Sequence, residues 1–190
     1  MTTASDIPSD NDRLADEAAP LDALLVDAAL GPARRFLPDA STAKFALGLA
    51  RRPRTTARRT TAAYEVAVAY CRQRQQFGQP LVSFQIVQDR LVKMPAEVCS
   101  MQLYCLRLGR LIEEGRLTDT IAALAKMNNT RKARQVISEA RDLLGGNGIL
   151  LDFHVMRHMA DIEAIHTYEG TETIQTLIVG RDITGASAFT

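Results

Sequence analysis

From residue 61 onward, apolar positions recur at helical spacing. Ala63, Val66, Ala67 and Tyr70 form a first stripe, which predicts a helix running into Arg74-Gln75-Gln76-Phe77-Gly78 and ending at Gly78 and Pro80. Phe84, Val87, Leu91, Met94, Val98, Met101, Cys105, Leu108 and Ile112 then step by alternating threes and fours, the pattern of a long bundle helix. Pro95 falls inside that stripe. A proline there removes one hydrogen bond and crowds the preceding turn, at about 3 kcal/mol. The stripe continues unbroken across it, so one kinked helix is expected. Glu113, Glu114 and Gly115 end this helix, and Thr118 with Asp119 caps the next. The third helix carries Ile121, Leu124, Ala125, Ala133, Val136, Ile137, Ala140, Leu143 and Leu144, and stops at Gly145-Gly146-Asn147-Gly148. A shorter helix over 155–164, a turn at 168–170 and a last helix from Thr171, carrying Ile174, Leu177, Ile178 and Ile183, complete the pattern. The fold class predicted is all-α, an antiparallel four-helix bundle.

The first sixty residues read differently. Residues 1–30 have a net charge of −6 and residues 31–59 one of +7, while the remainder is neutral and the whole chain has +1. This segregation places a boundary near residue 60, with an acidic tail and a basic, irregular segment before it and the bundle at 61–190. Residues 1–19 are acidic and poor in large apolar side chains, so a disordered tail is expected. Leu21, Leu24, Leu25 and Ala28 suit one short amphipathic helix. Residues 51–60 hold five arginines, Pro53 and three threonines, a composition read as irregular. Phosphate binding by this run is the less favoured alternative, because it has no interleaved aromatics and no recognisable nucleic-acid module.

Composition narrows the class. The near-neutral charge excludes a wholesale polyanion binder, and 46% hydrophobic residues with only 5% aromatics favour helices. Three cysteines, Cys71, Cys99 and Cys105, do not make a disulfide scaffold; they read as core thiols in a reducing compartment. No apolar run approaches the roughly 20 residues of a membrane helix. The acidic start lacks a basic signal-peptide region, so a cytoplasmic location is expected.

The turns carry the candidate chemistry. Three glycines at 145–148 exceed what a helix C-cap requires, and bare backbone there suits a phosphate or ribose as well as a plain cap. Glu169, beside Gly170 and just before a helix start, is either an acid favoured by the macrodipole or a general base in a closed apolar pocket. Arg74 is either a phosphate partner or a solvated cation at a helix end. His154 and His158 lie four apart, with His166 beyond, but no Glu or Cys completes a ligand spacing and no metal is expected.

These motifs in this order resemble the acyl-CoA dehydrogenase family. The resemblance rests on RQQFG at 74–78, FQIVQ at 84–88, ARDLLGGNGI at 140–149, HVMRHMADIEAIHTYEGTETI at 154–174 and LIVGRDITGASAF at 177–189. It covers residues 61–189 as the family's C-terminal helical domain, most similar to the glutaryl-CoA-specific members. It implies FAD-dependent α,β-dehydrogenation of an acyl-CoA thioester, glutaryl-CoA-like or short-chain. Glu169 then matches the base that removes the α-proton, and Gly170 a residue against the thioester. Arg74, Gln85, Thr171 and Phe189 match FAD contacts. Asp142, Leu143, Leu144, Gly145 and Gly146 match contacts to the FAD of a neighbouring subunit. The resemblance further implies a homotetramer, or docking on a full-length homologue, with an electron-transferring flavoprotein as acceptor. Family members carry an N-terminal helical domain and a middle β-domain before this bundle, so a truncated form is expected. The alternative is a non-catalytic helical assembly module or an inactive remnant.

Overall fold

The computed structural model describes the backbone of residues 40–188 and the side chains of residues 55–188. The acidic tail, the short helix expected at 21–28 and the candidate cofactor contact Phe189 lie outside the described residues. Within them the chain forms five α-helices: α1 (Ala40–Gln73), α2 (Gln85–Glu113), α3 (Asp119–Leu143), α4 (Val155–Thr167) and α5 (Glu172–Thr184). Helix α3 is central and packs against all four others, α1 also touches α2 and α4, and α5 rests on α3. This is the helical bundle that the periodicity predicts.

The long stripe of α2 packs as expected. Val87, Met94, Val98, Met101, Leu108 and Ile112 are buried, and the first four meet Ala133, Val136, Ile137 and Ala140 of α3 in one core that also takes Ile162 and Ile165 of α4. The helix runs unbroken across Pro95. Thr118 caps α3, its side chain accepting from the Ile121 N–H at 3.2 Å. None of the described helices is long and apolar enough to cross a membrane.

Three expectations are corrected. The irregular segment at 51–60 is helical: α1 (Ala40–Gln73) passes through Pro53 and places the proposed boundary at residue 60 in its interior. The reason is a stripe of small residues, Thr56, Ala57, Thr60, Ala63, Ala67 and Cys71, which is buried at spacings of mostly three and four. The Thr60 hydroxyl donates to the Thr56 carbonyl at 2.7 Å, so a buried threonine satisfies its own hydroxyl within the helix. Arg58 faces outward, and Arg59 pairs with Asp161 of α4.

The second correction is at the end of α1, which stops at Gln73 rather than running to Gly78. Two-residue strands, β1 (Gln75–Gln76) and β2 (Gln79–Pro80), pair antiparallel across Phe77 and Gly78. Both turn residues have positive φ, 53° and 79°, as a tight hairpin with the sheet's own twist requires. The third concerns Cys99, which is exposed, whereas Cys71 is buried and Cys105 half-buried. In α5 the residues that face the core are Gln175 and Val179, and Ile174 and Ile183 are exposed.

His158 yields a pH prediction. Helix α4 begins at Val155, leaving His154 as its left-handed cap (φ 59°) and His158 inside the first turns. Among the described residues no three His, Cys, Asp or Glu side chains form a metal-binding group. Burial, then the Arg59 guanidinium and the neighbouring His154, push the His158 imidazole below its usual 6.5, and Asp161 only partly opposes this. The folded imidazole is therefore neutral where the unfolded one is already protonated. Stability should fall as pH drops through about 6.5 and level off below the depressed folded value. Urea midpoints of His158→Phe should lack that fall; an unchanged profile would refute the assignment.

Candidate functional site

The turn between α4 and α5 concentrates the unusual backbone. Tyr168 ends α4 in an extended conformation, Glu169 takes a left-handed φ of 54°, and Gly170 follows at 90°. Glutamate rarely adopts such a φ, and holding it costs on the order of 1–2 kcal/mol, which the surroundings must supply. Thr171 then caps α5 by accepting from the Ile174 N–H at 3.4 Å.

What holds this turn comes from two buried polar side chains that sequence reasoning missed. Lys126 of α3 is 1% exposed, and its ammonium donates to the Tyr168 carbonyl at 2.6 Å, to the Gly170 carbonyl, and at a longer 3.4 Å to that of Glu169. Gln175 of α5, also 1% exposed, donates through Nε2 to the Glu169 carbonyl at 3.0 Å and to the Gly170 carbonyl at 3.2 Å. A Cβ on Gly170 would stand 2.5 Å from that Nε2. Further out, His166 Nδ1 lies 3.2 Å from the Thr130 hydroxyl, and Arg131 donates through Nε to Glu172 at 2.9 Å, joining α3 to α4 and α5. The signal for Lys126 was present in the sequence: it lies on the buried side of α3 with Ala122, Ala123, Ala125, Asn129, Thr130 and Ala133.

Glu169 is exposed, so the closed apolar pocket expected around it is not formed by the described residues. A groove of about 420 Å³ does exist, but it lies between α2 and α3, away from the turn. Its charges are matched: Arg90 donates to Glu139 at 2.5 Å and Lys93 to Asp89 at 2.6 Å.

The other candidate residues gather elsewhere. Arg74 follows the end of α1, with Gln76 within reach of its guanidinium; Gln85 opens α2 and is exposed. Asp142, near the end of α3, accepts from Arg90 at 2.7 Å and from Arg141 at 2.9 Å. The Arg90 hydrogen bond, with the charges of both arginines, holds this carboxyl below the usual range. Leu143 and Leu144 are buried in the core, and the Asn147 amide donates to the Tyr70 hydroxyl at 3.1 Å, tying the glycine turn to α1.

The glycines divide by cause. Gly145 has φ 58°, a left-handed value. At Gly148 a Cβ would lie 2.0 Å from the Arg141 carbonyl oxygen, so its own chain excludes a side chain. Gly146 has neither reason, since a Cβ there meets nothing within 4 Å. Its bare backbone faces open space, which fits close approach by an outside group.

The structure thus forms two groups of candidate residues. Glu169, Gly170 and Thr171 surround the Lys126 level of α3, whereas Asp142 to Gly146 sit at its C-terminal end, with Arg74 and Gln85 on the connection between α1 and α2. Sixteen residues of helix separate Lys126 from Asp142, about 24 Å at 1.5 Å per residue.

A five-helix bundle with a left-handed turn at Glu169 and a glycine-rich helix end defines the chain as a helical domain with two separated groups of candidate residues. Comparison with known proteins supplies the family: the acyl-CoA dehydrogenase C-terminal domain matches residues 43–184, and the chain belongs to that family. It is 30% identical over 122 residues to a 3-(aryl)acrylate reductase of Clostridium sporogenes, covering 64% of this chain and 32% of that protein. The crystal structure of glutaryl-CoA dehydrogenase from Mycobacterium smegmatis superposes with a TM-score of 0.67 at 37% identity, over 78% of this chain and 37% of the other. A glutaryl-CoA dehydrogenase from the same organism, solved in complex with FADH2, gives 0.66 at 33% identity, with the same coverage of both chains. The chain therefore spans about a third of the length of the curated relatives it matches.

Proposed function

We propose that this chain takes part in FAD-dependent α,β-dehydrogenation of an acyl-CoA thioester, with Glu169 as the base. The observation that carries the reading is the Glu169 turn: an exposed carboxylate held at a costly left-handed φ by two buried side chains whose donors converge on its backbone. A carboxylate needed only to favour a helix N-terminus has no reason to sit in such a frame.

In this reading Glu169 takes the proton from the carbon next to the thioester carbonyl, where the adjacent carbonyl makes that proton acidic. Gly170, without a side chain, lets the thioester approach the turn. FAD, when bound, accepts the β-hydrogen as hydride. The open backbone at Gly146 and the cation of Arg74 suit the phosphates and ribose of a dinucleotide, and the ion pairs of Asp142 with Arg90 and Arg141 offset its negative charge there. Leu143 and Leu144 support that edge from the core, while Gln85 and Thr171 offer polar groups at helix starts. Because about 24 Å of α3 separates the two edges, the glycine edge serves the cofactor of a neighbouring subunit in a homo-oligomer. The electron acceptor in this reading is an electron-transferring flavoprotein. Glutaryl-CoA and short-chain acyl-CoA are the substrates to try first.

The test is anaerobic addition of glutaryl-CoA or butyryl-CoA to the protein titrated with FAD. Bleaching of the oxidised flavin band is the expected result; absence of both flavin binding and bleaching would overturn the reading.

One observation favours the second reading, a non-catalytic assembly module. Val92, Ala96, Cys99, Leu103 and Leu106 form a second stripe on α2 that is exposed, with Leu103 at 65%. Such a strip of apolar surface favours association. Defined oligomers with no flavin response would support this reading over the first.

A further inference from the structure

We infer that Lys126 and Gln175 are positioning residues, which fix the backbone of Tyr168, Glu169 and Gly170 so that the Glu169 carboxylate is presented in one place. The inference rests on the reading of Glu169 as the base and adds how that base is held. Neither side chain is explained by stability alone. A buried ammonium carries a desolvation penalty that well-packed apolar residues of similar size avoid. Gln175 is costly too, because its Oε1 is buried with no hydrogen-bond partner among the described residues. Both penalties are accepted at one spot, and the donors go to three consecutive carbonyls. Those of Lys126 face residues 168, 169 and 170, and the Nε2 of Gln175 faces 169 and 170.

The two side chains approach from different helices, α3 and α5, so the turn is held between them. An ordinary peptide at Glu169 would relax out of the left-handed region. Carbonyls fixed on three successive residues leave no freedom to do so, because rotating φ at 169 swings the flanking carbonyls off their donors. Positioning of this kind matters because a general base works only within hydrogen-bond reach of its proton, and small misplacements of a reacting group cost large factors in rate.

Hydrogen–deuterium exchange on the full chain tests the inference without flavin or acyl-CoA. In Lys126→Met the hydrogen-bonded amides that flank the turn, Tyr168 to the Ala164 carbonyl and Ile174 and Gln175 to Thr171, should exchange roughly 10- to 100-fold faster, while those in the middle of α2 stay as protected as before. Gln175→Met removes the Nε2 donors together with the unpartnered Oε1 and should accelerate the same amides by a smaller factor. Unchanged exchange in the turn for both variants would overturn the inference. So would acceleration spread equally over α2, which would make both residues general stabilisers; if Lys126→Met does not fold, Gln175→Met decides alone. In flavin-loaded protein that turns over, kcat should fall at least 10-fold with KM for the acyl-CoA within about twofold, a split that loss of general stability would not produce. Lack of turnover in the unsubstituted chain would count against the base assignment, and the exchange result would still decide whether the clamp exists.

Discussion

Glu169→Gln should abolish reduction of bound flavin by acyl-CoA, lowering its rate by about 100- to 10,000-fold, the range that a positioned general base contributes. Glutamine keeps the length and the amide-like shape of the side chain but takes up no proton at neutral pH. It also keeps a side chain at the left-handed φ of 54°, so the backbone strain and the contacts of Lys126 and Gln175 with the turn are unchanged. Thermal stability and FAD affinity should therefore stay close to those of the parent. Glu169→Gly makes the opposite separation. It removes the carboxylate and also relieves a conformation that only glycine adopts freely, so the protein should melt no lower and be up to about 1 kcal/mol more stable. Stopped-flow flavin bleaching together with a melting curve reads both effects. Retention of the parent rate by Glu169→Gln would remove Glu169 from the base role.

The two variants together separate a residue kept for chemistry from one kept for folding. A position that gains stability and loses activity when changed to glycine is one whose native residue is strained for function. The same reasoning applies one layer out. Lys126 and Gln175 are buried polar groups whose donors are directed at the strained segment, and the loss expected on changing them is local.

The bundle was legible in the sequence where its core is made of large apolar residues. The α2 stripe from Val87 to Ile112 and the α3 stripe from Ala133 to Leu143 follow helical periodicity, and the structure buries them. Legibility failed where small residues do the packing. Thr56, Ala57 and Thr60 are buried on α1, but amid five arginines and a proline they resemble a polar run. It failed again at Phe77, since an aromatic at 91% exposure with positive φ contradicts both its hydrophobicity and its usual backbone preference. In the site, Glu169 and Gly170 stood out by their place at a turn. Lys126 did not, because a lysine on a helix is ordinarily a solvated charge. Only its phase relative to Ala122, Thr130 and Ala133 showed that it points inward, and only the three-dimensional arrangement showed what it meets there.

The glycine turn gives the second large expected effect, and it separates packing from binding at positions two residues apart. In Gly148→Ala the new Cβ would lie 2.0 Å from the backbone oxygen of Arg141 and 2.9 Å from its carbonyl carbon. Backbone atoms cannot swing aside as a side-chain tip can, so the end of α3 or the turn must move. That should also disturb the Asn147 to Tyr70 hydrogen bond beside it. A loss of about 3 kcal/mol is expected, the upper part of the range for overpacked sites. Gly146→Ala meets nothing within 4 Å, so its stability should be unchanged or raised by up to about 1 kcal/mol through a less flexible unfolded chain. If a dinucleotide lies against that backbone in the assembled protein, the added methyl instead weakens FAD binding, and a flavin titration reads the change directly. Urea unfolding of both variants checks the packing half of the argument. Equal destabilisation would contradict the open space at Gly146, and a stable Gly146→Ala with parent FAD affinity would remove the glycine edge from the cofactor site.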